Sequence, residues 1–75
     1  MTASEKKTYD FIVDYVTENL YAPSIRDICK GTGFYSSSTV SAHLYSLQHE
    51  GYIKIGEEIG QPRSIKLLGY KLVKE

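Results

Sequence analysis

The chain has 75 residues, enough for one domain with a modest core and too few for a deep catalytic pocket beside it. Hydrophobic residues make up 41%, which argues against disorder, and no apolar run approaches the length of a membrane span. Nine Lys and Arg balance nine Asp and Glu to a formal net charge of zero, and the single cysteine, Cys29, excludes an internal disulfide framework and a cysteine-based zinc site.

Thr2 with Glu5 three residues later forms a capping-box signature. Tyr9, Ile12, Val13, Val16 and Leu20 then recur with helical spacing, which predicts a first helix from Ala3 to Asn19. Tyr21-Ala-Pro23 closes it, because the residue before a proline avoids the helical region. Ser24 and Asp27 repeat the capping pattern with a shorter carboxylate and start a second helix of about two turns. Its apolar face is Ile25, Ile28 and Cys29, and either Gly31 or Gly33 ends it. Gly33-Phe34-Tyr35 makes a tight connection to a third helix with Ser36 as N-cap and Gly51 as C-terminal stop.

Beyond Gly51 the period changes from helical to alternating. Tyr52-Ile-Lys-Ile55 and Ser64-Ile-Lys-Leu67 read as two strands, with Ile53, Ile55, Ile65 and Leu67 facing inward. The turn-rich stretch from Gly56 to Arg63 joins them as a hairpin with a long tip. Two helices around a glycine-containing turn form a helix-turn-helix. The expected fold is therefore mainly α with a small β-hairpin: a winged helix-turn-helix of three helices and a two- or three-stranded wing. The domain is expected to span residues 1–68. Residues 69–75 form either an added strand or a tail.

The third helix carries the functional signal. Val40, Leu44 and Leu47 fall on one face at i, i+4 and i+7, and Ser38, Ala42, Tyr45 and His49 fall on the opposite one. An exposed helix face normally carries Glu and Lys. This one carries hydroxyls, a methyl and a phenol, which suit the edges of DNA bases and do not repel phosphate. The alternative is a plain helical hairpin in a bundle. Net neutrality opposes strong non-specific DNA binding. However, Asp10, Asp14 and Glu18 form a stripe on the first helix, while Arg26, Lys30, Lys54, Arg63 and Lys66 lie later in the chain. A dipolar distribution of this kind can present a positive side to DNA; the alternative is ordinary solvated charge, which composition alone favours.

The order of these motifs resembles the N-terminal DNA-binding domain of the LexA repressors of the SOS response. Thr2-Ala3 and Tyr9-Asp-Phe-Ile12 resemble the opening of that domain, and Ala22-Pro-Ser-Ile-Arg-Asp-Ile28 is similar to its second-helix stretch. Most specific is Ser36-Ser-Ser-Thr-Val-Ser-Ala-His-Leu-Tyr-Ser-Leu47 followed by Gly51-Tyr-Ile53, which resembles the Gram-positive branch. Pro62-Arg-Ser-Ile65 resembles the same branch at the second wing strand. The chain departs from the family in a longer wing loop bearing Glu57 and Glu58, whose carboxylates oppose a phosphate backbone. The family's C-terminal half, with its serine-lysine self-cleavage chemistry and main dimer interface, has no counterpart in these 75 residues. No enzymatic activity is expected of them.

The resemblance implies that Ser36, Ser38, Thr39, Ser41 and Ala42 read bases in the major groove. Arg26, Tyr45, Lys54 and Arg63 are the candidates for backbone contacts. The implied partner is a double-stranded, palindromic DNA operator bound by two copies, with homodimerisation through parts outside this chain. A cytoplasmic protein of bacterial or phage origin fits this reading. The alternative function is a protein-interaction module, since fold does not fix function. His43 is expected to pack or hydrogen-bond, because two histidines on one helix give zinc no adequate ligand set. Cys29 is expected as a small buried hydrophobe. The seven tyrosines suffice to rim a small core, and no cofactor or metal is implied.

Overall fold

The first helix spans Ala3–Asn19 (α1) in a computed structural model that describes residues 1–34, 36–56 and 65–68. The second spans Ile25–Thr32 (α2) and the third Ser37–His49 (α3), and the strands Ile53–Ile55 (β1) and Ile65–Leu67 (β2) follow. The strands pair antiparallel, Ile53 with Leu67, Lys54 with Lys66 and Ile55 with Ile65. The architecture is the expected winged helix-turn-helix. Residues 69–75, assigned to a strand or tail, lie outside the described residues, as do Glu57, Glu58 and Arg63 of the wing loop.

Both predicted capping boxes are formed. The Glu5 amide donates to Thr2 Oγ1 at 3.1 Å and the Thr2 amide to Glu5 Oε1 at 2.9 Å. At α2 the Asp27 amide donates to Ser24 Oγ at 3.1 Å and the Ser24 amide to Asp27 Oδ2 at 3.0 Å. The C-terminal end of α1 differs from expectation. Before Pro23 acts, Leu20 takes the left-handed conformation (φ 65°) and its amide closes on the Val16 carbonyl at 2.8 Å. A branched side chain there is strained, and Leu20 is 81% exposed, so little packing offsets it.

Of the two glycines offered as ends of α2, Gly33 is the cap (φ 82°) and Gly31 lies within the helix. Gly31 serves packing instead: a Cβ there would overlap the Phe11 ring of α1. The end of α3 is a Schellman motif at Gly51 (φ 89°), whose amide bonds the Gln48 carbonyl while that of Tyr52 bonds the Leu47 carbonyl.

Ile12, Ile28, Val40, Leu44, Leu47, Ile53 and Ile65 form the core, one contribution or more from every element. Ile55 and Leu67 pack against it from the wing, inward as expected but only partly buried. Cys29 corrects its expectation. It is half-buried at the edge of the core, because Ile28 takes the centre of the short α2. Tyr9 packs on Tyr52 with ring centroids 5.5 Å apart, a tyrosine rim of the kind expected.

Candidate nucleic-acid interface

Burial of Val40, Leu44 and Leu47 fixes the rotation of α3 and leaves the other face outward. Ser36, Ser38, Thr39 and Ala42 are exposed, Ser41 is half-buried, and Tyr45 is 65% exposed. These six residues lie along one surface of the first two and a half turns of α3. The hydroxyl of Ser36 is engaged: it accepts from the Ser38 amide at 3.1 Å. Ser37, the first residue of α3, is exposed as well. The sequence reading passed over it, although the run of three serines was its signal.

Electrostatics distinguish this helix from the others. No Asp, Glu, Lys or Arg occurs between Ser36 and His49. The first turn of α3 has no acidic residue, whereas α1 has Glu5 there and α2 has Asp27. The amides and positive dipole end of α3 therefore meet no carboxylate of their own turn. The stripe of Asp10, Asp14 and Glu18 is exposed on α1.

The auxiliary candidates separate. Arg26 is exposed in the first turn of α2, and Lys54 is exposed at the middle of β1. Arg63 lies outside the described residues. Lys66 stands directly across the hairpin from Lys54 and was missed as a candidate. Its signal was present in the alternation, which turns Ile65 and Leu67 inward and so turns Lys66 outward.

The seating of α3 depends on contacts that periodicity does not reveal. His43 Nδ1 lies 3.0 Å from Oγ1 of Thr8, a fully buried residue of α1. The His43 ring also meets Phe34 edge-on, with centroids 5.0 Å apart. The hydrogen-bonding role expected of His43 is what the structure gives it. Gln48 Oε1 accepts from the Ile55 amide at 2.7 Å and ties α3 to the wing. Among the described residues, no cluster of three His, Cys, Asp or Glu could hold a metal ion. Nor is any described helix long and apolar enough to cross a membrane.

The family model for the LexA DNA-binding domain matches residues 1–64. The chain belongs to the LexA DNA-binding domain family. It is 40% identical over 75 residues to a LexA repressor of Carboxydothermus hydrogenoformans, covering 100% of this chain and 36% of that protein. It is 40% identical over 65 residues to a LexA repressor of Clostridium novyi, covering 87% of this chain and 31% of the relative. A LexA repressor of Bacillus mycoides is 41% identical over 69 residues, covering 92% of this chain and 33% of its own length. The chain thus spans about a third of the length of the curated relatives it matches. The LexA family match takes in all three helices and β1 and reaches the threshold of β2, so the resemblance read from Ser36–Leu47 extends across the fold.

Proposed function

We propose that this domain binds double-stranded DNA with sequence preference and acts as the operator-reading part of a LexA-type repressor of the SOS response. The observation that carries this reading is the charge-free outward face of α3, with no carboxylate in its first turn. Ser36, Ser38, Thr39, Ser41 and Ala42 contact base edges: hydroxyls donate or accept, and the methyls of Thr39 and Ala42 meet a thymine methyl. Arg26, Tyr45, Lys54 and Arg63 hold the sugar-phosphate backbone and set the register without specifying sequence. One module of this size contacts few base pairs, so two copies occupy a palindromic operator and block a promoter.

The test is a titration of duplex selected from a random pool against a scrambled duplex at moderate salt. Thr39→Ala and Ser41→Ala are expected to narrow the difference between the two, and Arg26→Ala to weaken both alike. Equal affinity of the unaltered domain for both duplexes would remove the claim of sequence reading. Net neutrality favours a second reading, a protein-docking winged helix. Amide shifts decide between them: duplex DNA that moves no resonance from Ser36 to Tyr45 would support the second.

A further inference from the structure

The outward face of the wing carries a feature that a stable hairpin alone does not call for. Lys54 and Lys66 are directly opposed at the centre of a three-residue ladder, and both are exposed. The Leu68 amide donates to the Tyr52 carbonyl at 3.0 Å, and the Ile55 amide turns to Gln48 Oε1 at 2.7 Å. Antiparallel alternation then makes Lys54 and Lys66 a hydrogen-bonded pair, with Cα atoms about 5.5 Å apart. Like charges in that position destabilise a hairpin. Elsewhere the chain neutralises a lysine locally: Lys6 Nζ lies 3.1 Å from Asp10 Oδ2. Among the described residues neither Lys54 nor Lys66 has an ion-pair partner.

Two ammonium groups on flexible stems, rooted side by side, can converge on one anion. The wing that presents them follows α3 through a short turn and is tied to it by Gln48. We infer that Lys54 and Lys66 form a single anion site that holds one DNA backbone phosphate beside the groove entered by α3. The inference rests on the DNA-binding reading above. The repulsion between the two lysines is relieved when the phosphate enters, so the site stores part of its affinity in the free hairpin. Each lysine positions the wing and specifies no base.

The experiment compares the unaltered domain with Lys54→Gln, Lys66→Gln, the double variant and Lys66→Glu. Thermal midpoints at low salt are read first, then affinity for selected and scrambled duplexes across a salt series. Lys66→Glu replaces repulsion with attraction, so its midpoint should rise while its affinity for both duplexes falls by the same factor. The double glutamine variant should lower the slope of log affinity against log salt by about 1, the value for one phosphate. The two single variants should fall between it and the unaltered domain. A double variant with an unchanged slope would overturn the site, and a slope lowered by about 2 would replace it with two separate phosphates. Failure of the unaltered domain to bind either duplex at any salt would instead overturn the DNA-binding reading, and the site with it.

Discussion

The domain starts a helix in two different ways. At α1 and α2, a hydroxyl residue caps the helix and a carboxylate at the third position returns the hydrogen bond: Thr2 with Glu5, Ser24 with Asp27. At α3, the Ser36 hydroxyl accepts instead from the amide of Ser38, the second residue of the helix, while Thr39 holds the third position and no carboxylate returns. An acidic residue in a first turn is worth about 0.3–1 kcal/mol to a helix, so its omission costs α3 about that much. The omission leaves the positive end of the helix uncompensated, the condition under which an anion is welcome. The missing carboxylate thus falls at the one helix start for which DNA contact is proposed.

The substitution that bears most directly on this difference is Thr39→Glu, which supplies the missing carboxylate. The thermal midpoint should hold or rise, because the capping box at α3 becomes complete. Duplex affinity should fall by several kcal/mol, the penalty for like charge at an interface. Calorimetric unfolding and a duplex titration on the same sample check both halves. A variant that binds DNA normally would show that the start of α3 is not near phosphate.

Next in size is Gly31→Ala, which tests whether α2 must lie close against α1 to support α3. The added methyl displaces the Phe11 ring, itself packed on Tyr15 with centroids 5.7 Å apart. Overpacking of this kind costs about 1–3 kcal/mol, readable as a lowered midpoint in urea. An unchanged midpoint would mean that the ring moves aside without loss. A smaller effect separates the two kinds of cap. Ser24→Ala should destabilise by about 1 kcal/mol. Ser36→Ala should cost a similar amount, because each substitution removes one hydroxyl that accepts from a helix amide, yet Ser36→Ala should also weaken duplex binding. Equal stability losses with intact binding would erase the distinction between the helix starts.

Much of this was legible in the sequence, for physical reasons that also set its limits. Capping signatures and period fixed α1 at Ala3–Asn19, and the switch to alternation placed both strands. Backbone chemistry and burial are written in local spacing, so these elements could be read. The left-handed turn at Leu20 could not, because a branched residue is a poor choice for that conformation and nothing in the local spacing marks it. The placement of Gly31 inside α2 depends on how near α1 passes, a distance that no local pattern encodes. Nothing in local spacing marks Thr8, because its partner, His43, lies 35 positions away. For the candidate site, exposure of Ser38, Ala42 and Tyr45 followed from period alone, whereas Thr39 entered through the family resemblance. The opposition of Lys54 and Lys66 required strand register.

The smallest expected effect uses acid to probe the same capping contrast. The Glu5 carboxyl is held below its ordinary value of 4.5, first by the hydrogen bond from the Thr2 amide, with Ser46 and His43 of α3 and the N-terminal ammonium acting in the same direction. A carboxyl lowered in the folded state adds stability that is complete above its unfolded value. That stability is lost as pH falls through the folded value. The loss should therefore begin below the ordinary carboxylate range and be absent in Glu5→Gln, which carries no titrating group at the cap. Midpoints of the two proteins should differ at neutral pH and converge in acid. Because α3 has no first-turn carboxylate, Thr39→Gln should leave the acid profile of the unaltered domain unchanged in shape. If Thr39→Gln altered that shape, a carboxyl from elsewhere would be facing the start of α3, and the uncompensated positive end on which the DNA reading depends would not exist.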